Sequence, residues 1–221
     1  MQIHTVSLLG ATGLIGQQLL QLLSQDSRYQ HIRVLSRRPI AFSHPKVAVI
    51  ILDFEDEQAV RAALAGSQQI FCSVGTTQAR VKGDLKAYRK VDYDIPARAA
   101  RLGSELGCQH FSLVTSVGAD PGSKNFYLQL KGAVEDAVQQ QGIPSVAIFR
   151  PSMLLGKRQE FRPAERLGQL LMQPLAFLFP AAYKPVTGRD VARAMIAFSQ
   201  KQLPGAHIYQ YTEMQAAIAA G

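Results

Sequence analysis

Cysteine is scarce in this chain: Cys72 and Cys108 are the only two in 221 residues. Two thiols cannot staple a domain of this size, and Cys72 sits in an apolar run that reads as a buried strand. The fold must therefore rest on a hydrophobic core, and a reducing compartment fits best. Metal-ligand spacing is missing too. His4, His31, His44, His110 and His207 stand apart from one another and pair with no cysteine, so no metal site is expected. The absence of a G-x-S-x-G elbow argues against a serine hydrolase. No apolar run is clean enough to span a membrane, because the longest, residues 167–183, is interrupted by Gln169, Gln173, Pro174 and Pro180. It reads as a packing segment, with 167–179 offering an apolar surface to a second copy or to a protein partner. Linkers, repeats and low-complexity tracts are lacking, so one domain over 1–221 is expected. The chain opens on a strand pattern rather than on the basic and apolar regions of a signal peptide, which predicts a cytoplasmic protein.

What the chain has in excess is positive charge. Lysine and arginine number 24 against 16 acidic residues, a net charge of +8. Such a surface attracts anions, nucleotide phosphates among them. A helix-turn-helix, an RNA-binding signature and a lysine-rich tail are all missing, so specific nucleic-acid binding is not expected. The 47% hydrophobic content suffices for one substantial core.

Short, nearly continuous apolar runs at 5–9, 32–35, 47–52, 69–74, 111–114 and 145–149 read as parallel strands covered on both faces. Helical periodicity separates several of them, at 14–23, 57–64, 84–106 and 127–140. In the third of these, Ala87, Val91, Ile95 and Ala99 mark the apolar face. Alternation of this kind predicts an α/β fold of the Rossmann type, a doubly wound parallel sheet with helices on both faces. Residues 151–221 are expected to form a small substrate-side cap, containing an amphipathic helix at 190–198 and a last strand at 208–211.

Between the first strand and the first helix lies Gly10-Ala11-Thr12-Gly13-Leu14-Ile15-Gly16. Its G-x-x-G-x-x-G spacing provides a sharp turn, a backbone that can approach a pyrophosphate, and helix N-terminal amides aimed at it, with Thr12 as an added hydroxyl donor. An NAD-selective site has an acidic residue about twenty positions beyond such a turn. Here the second strand ends in Ser36-Arg37-Arg38. Two guanidinium groups suit a ribose 2′-phosphate, which makes NADP(H) the expected cofactor; a solvated basic turn is the alternative. Asp53 and Phe54 end the third strand, where they can receive the adenine amino group and flank its ring, or the aspartate can cap the helix that follows.

Tyr127 and Lys131 lie one helical turn apart, downstream of a strand that ends in Thr115-Ser116. A phenol is a poor base at neutral pH, but a neighbouring ammonium favours the phenolate. Ser116 would hold a substrate carbonyl, with Thr115 as the alternative hydroxyl if the strand register shifts by one. The bland reading is a core tyrosine beside a surface lysine.

Gly10 to Gly16, Phe71-Cys72-Ser73-Val74-Gly75-Thr76-Thr77, Ser116 with Gly118-Ala119-Asp120, Tyr127-Leu128-Gln129-Leu130-Lys131-Gly132 and Phe149-Arg150-Pro151 follow in that order. This series resembles the atypical branch of the short-chain dehydrogenase/reductases, and above all the Tat-interacting-protein-like NADPH-binding oxidoreductases, to which Arg158-Gln159-Glu160 and Arg162-Pro163 also correspond. The resemblance implies NADPH held by the glycine turn, Arg37 and Arg38. It further implies contacts at Val74, Gly75, Thr76, Tyr127, Lys131, Leu154 and Arg162, and Ser116, Tyr127 and Lys131 as the catalytic set. Many short-chain reductases carry a proton-relaying asparagine on the long central helix; here Asp92 and Asp94 occupy that stretch, and Asp92 reads equally as a helix-surface residue. Two functions follow: an NADPH-dependent oxidoreductase acting on a small carbonyl or other unsaturated molecule, or an NADP(H)-binding regulatory or redox-sensing protein with little turnover.

Overall fold

The computed structural model describes residues 3–77, 79–155 and 184–220. Strand β1 (Ile3–Leu9) leads through the glycine turn into α1 (Leu14–Gln25), and β2 (Tyr29–Ser36) and β3 (Val47–Ile51) complete one half of the sheet. Helix α2 (Glu57–Leu64) starts on Asp56, whose carboxylate accepts from the Ala59 amide at 3.0 Å. After β4 (Gln69–Cys72) come α3 (Leu85–Arg89), a π-helical turn (Lys90–Asp94) and α4 (Ile95–Glu105). Strand β5 (His110–Val114), α5 (Phe126–Gln139) and β6 (Ser145–Phe149) follow, then the short β7 (Leu154–Leu155) and β8 (Val186–Thr187). Helix α6 (Gly188–Lys201), β9 (Gly205–Tyr209) and α7 (Tyr211–Ala219) close the described chain.

Seven parallel strands form one sheet in the order β3-β2-β1-β4-β5-β6-β9. Strands β4 and β6 are buried along their whole length, as the continuous apolar runs require, while the edge strands β3 and β9 are only partly covered. One core layer packs α1, α6 and α7 on the sheet; the other packs α2, α4 and α5. Strand order reverses between β1 and β4, so a crevice opens beyond their carboxyl ends, where ligands of such sheets bind.

Two expectations need correction. Residues 188–209 do not belong to a cap: α6 buries Val191, Ala192, Ala194 and Met195 completely, and β9 pairs with β6 as the seventh strand. Helix 84–106 is also not continuous. Pro96 has no amide to give the Asp92 carbonyl one turn before it, and the chain takes a π turn there. The extra residue rephases the preceding turns, so Tyr88 and Asp92 face inward while Ala87 and Val91 are half-buried.

Candidate functional site

Strand register brings the motifs to one edge. Leu9 lies opposite Leu35 and Cys72, and Cys72 opposite Leu113. The residues that follow, Gly10, Ser36-Arg37, Ser73-Val74 and Val114-Thr115, therefore emerge side by side. Gly10 has φ +87°, and a Cβ there would lie 2.6 Å from the Ser73 carbonyl carbon, so the turn needs glycine for both conformation and space. A Cβ at Gly16 would overlap the Gly10 carbonyl oxygen. Helix α1 begins at Gly13 with no side-chain cap, which leaves first-turn amides to be satisfied by a ligand or water. A phosphate would meet main-chain donors there, with Thr12 beside them on the cleft wall.

At one end of the crevice, a cleft of about 100 Å³ is lined by Gly10, Gly13, Arg37 and Phe54. Arg37 and Arg38 are both exposed, and the Ser36 hydroxyl folds their turn by donating to the Arg38 carbonyl at 2.8 Å. Neither guanidinium makes an ion pair among the described residues. Phe54 is 7% exposed, anchored in the core with one side on the cleft. Asp53 does not cap α2, since Asp56 does that; its carboxylate accepts from the Glu55 amide at 2.9 Å.

Toward the middle of the sheet lies a second cleft of about 210 Å³, sharing Thr12, Gly13, Val74 and Gly75 with the first. Leu14, Ile15, Thr76, Asp92, Thr115, Tyr127, Lys131 and Leu154 also line it. Asn125 caps α5 by accepting from the Tyr127 and Leu128 amides at 2.9 and 3.2 Å, which fixes the turn that presents the phenol. The Lys131 ammonium lies 5.9 Å from the Tyr127 ring centroid and donates to Asp92 Oδ1 at 2.8 Å. Burial alone would lower the lysine's pKa, but the Asp92 charge and hydrogen bond, with Tyr127, outweigh it and hold the ammonium above its ordinary value.

The two adjacent hydroxyls are in different states. Thr115 is buried and donates to Glu135 Oε1 at 2.5 Å, while Ser116 is half-buried and reaches only the Val117 carbonyl at 3.3 Å. Thr115 lines the cleft but its proton is committed to Glu135; Ser116 has hydroxyl capacity to spare but is not among the residues that line either cleft. Arg162, the 158–160 motif and the apolar stretch 167–179 lie outside the described residues.

Of the two readings left open for Asp92, the surface one fails, since the side chain is 1% exposed. Two further contributors escaped the sequence reading. Tyr88 donates to the Thr76 carbonyl at 3.3 Å and sets its ring edge-on to Tyr127 at 6.5 Å. Glu135, buried on α5, is held by Arg150 and Thr115 together. The spacing of Tyr127, Lys131 and Glu135, one turn each, was the available signal for the last of these.

The family model for NAD(P)H-binding domains matches residues 10–200. The chain is similar to Protein HTATIP2 of Rattus norvegicus, 34% identical over 200 residues that cover 89% of this chain and 81% of the relative. It is similar to Protein FMP52, mitochondrial, of Debaryomyces hansenii, 31% identical over 201 residues, 89% of this chain and 88% of the relative. Among solved structures it is similar to the Bordetella bronchiseptica enzyme WbmH in complex with NAD+, with a TM-score of 0.73 at 15% identity over 93% of this chain and 75% of that one. A UDP-N-acetylglucosamine 4-epimerase from Methanobrevibacter ruminantium M1, in complex with UDP-N-acetylmuramic acid, gives 0.72 at 14% identity, covering 95% and 77%. At such identities these two structures speak to the fold alone.

Proposed function

The chain belongs to the NAD(P)H-binding family, within the atypical short-chain dehydrogenase/reductase group of HTATIP2 and FMP52, and from that membership we propose that it is an NADPH-dependent reductase of a small carbonyl or other unsaturated substrate. One observation supports this above the rest: a single crevice runs from Arg37, over the uncapped start of α1, to Tyr127 and Lys131. The residues fit the cofactor, since a cradle closed to any Cβ at Gly10, two exposed guanidiniums with no ion pair among the described residues, and main-chain donors between them match a phosphorylated dinucleotide. NADPH, when bound, supplies the hydride. Ser116 donates a hydrogen bond to the substrate oxygen, and Tyr127 gives its phenol proton to that oxygen. Lys131 offsets the negative charge left on the phenolate.

Burial pushes the Cys72 thiol up to about 11 and the Cys108 thiol up to about 12, so neither is a ready nucleophile. Two unreactive free thiols suit a reducing compartment, and we propose the cytoplasm, to be checked by fractionation.

Side-by-side titration with NADPH and NADH tests the cofactor. NADPH should bind more tightly, and replacing Arg37 and Arg38 by Ala should weaken NADPH about 10- to 100-fold while leaving NADH nearly unchanged. Equal affinities in the unaltered protein would sink the 2′-phosphate argument. Tyr127→Phe should lower kcat by about 10²-fold or more; NADPH consumption with an active substrate that is unchanged by this substitution would overturn the assignment of Tyr127 as proton donor.

A further inference from the structure

Asp92, in the π turn before α4, has both carboxylate oxygens in use. Asp92 Oδ1 takes the Lys131 ammonium at 2.8 Å, and Oδ2 accepts from the Thr76 amide at 2.8 Å. The two side chains are 1% and 6% exposed, so the pair is shielded from water. Thr76 lies in the loop after β4 that walls the crevice, and Lys131 lies on α5 across from it. Tyr88 braces the same arrangement through its bond to the Thr76 carbonyl and its edge contact with the Tyr127 ring.

Resting on the reductase reading above, we propose that Asp92 is a positioning residue: its carboxylate joins the Thr76 loop to Lys131, so that the cofactor wall and the proton-transfer pair are assembled as one unit. Among the described residues no other hydrogen bond joins the loop to the ammonium, and the carboxylate supplies both links. An asparagine could still accept from Thr76, but it would not carry the charge that holds a buried ammonium. An alanine would do neither. The groups that face this pair are Tyr127 on α5, Tyr88 on α3 and Cys72 at the end of β4. None of them is a carboxylate that could replace Asp92.

Two measurements on the cofactor-free protein read the two halves of the proposal. In the first, the Lys131 Cε chemical shift is followed by NMR through the alkaline range. Asp92→Asn should move its titration to lower pH by about one unit or more, because burial then acts without a counter-charge. In the second, Asp92→Ala should speed exchange of the Thr76 amide about tenfold, the factor for one lost hydrogen bond, while Asp92→Asn leaves it slow. An unmoved Lys131 titration in Asp92→Asn, or a Thr76 amide indifferent to Asp92→Ala, overturns the corresponding half. If either single variant unfolds, Lys131→Met with and without Asp92→Asn serves instead. The double variant should be more stable than Lys131→Met alone, because the orphaned buried carboxylate is gone; equal stability refutes the pairing. With substrate, Asp92→Asn should also bring the alkaline limb of kcat toward neutral pH, since Lys131 without the carboxylate loses its proton at lower pH. Absence of any turnover would count against the reductase reading and leave the NMR, exchange and stability outcomes standing on their own.

Discussion

A methyl group placed on Gly16 would overlap the backbone of Gly10, whereas one on Gly13 would meet nothing nearer than the Gly10 carbonyl oxygen at 3.4 Å. The two glycines therefore serve different masters. Gly16→Ala forces backbone apart from backbone and should destabilise the fold by about 3 kcal/mol, read from the urea midpoint. Gly13→Ala should cost the fold only about 1 kcal/mol, the loss of a tolerated helix cap. Yet Gly13 lines both clefts, so the same change should weaken NADPH binding about tenfold or more. Unchanged affinity would mean that no ligand approaches this position. The glycine spacing was legible in the sequence, as were Arg37 and Arg38, because turn chemistry is local. Which of Thr115 and Ser116 keeps a free hydroxyl was not, because that choice is made by Glu135, twenty residues away in the chain and visible only once α5 lies against β5.

Helix α5 gathers Tyr127, Lys131 and Glu135 on one side, and its first turn depends on Asn125. Asn125→Ala frees two amides at the turn carrying the phenol and should lower stability by about 1 kcal/mol in urea unfolding, with Asn125→Asp restoring it. If Asn125→Ala matches the unaltered protein, the cap is not what fixes that turn. The periodicity of α5 was plain in the sequence. The helix before it was read as one uninterrupted element, with Ala87 and Val91 inward, and this left Asp92 open between a relay position and the surface. Apolar spacing cannot register a π turn, whose single added residue changes which side chains face the core; Pro96, one turn beyond Asp92, was the one local warning.

Across the whole sheet, six runs of apolar residues announced β1 to β6, whereas β9, expected at 208–211 as part of a cap, is a half-exposed edge whose place in the sheet is fixed by pairing with β6 rather than by its own pattern. The sheet also carries chemistry at the edge remote from the crevice. His110 begins β5 between Gln69 and Ser145, with Nδ1 2.9 Å from the Ser145 hydroxyl and Nε2 2.8 Å from that of Ser112. Burial lowers its pKa from 6.5 to about 4. Above the unfolded value both states hold a neutral ring, and folding is indifferent to pH on its account. As pH falls below that value the unfolded chain takes up a proton that the folded one refuses until about pH 4, so stability drops across this window. The full loss is on the order of 3 kcal/mol. Urea unfolding at about pH 7 and about pH 4.5 should therefore show a smaller drop for His110→Gln than for the unaltered protein, the difference being about 2 kcal/mol. Identical drops would mean that the acid sensitivity comes from carboxylates elsewhere. Because His110 stands at the amino end of its strand and the crevice at the carboxyl end, the substitution should leave NADPH affinity at neutral pH unchanged, which separates the stability of the sheet from the chemistry at its other edge.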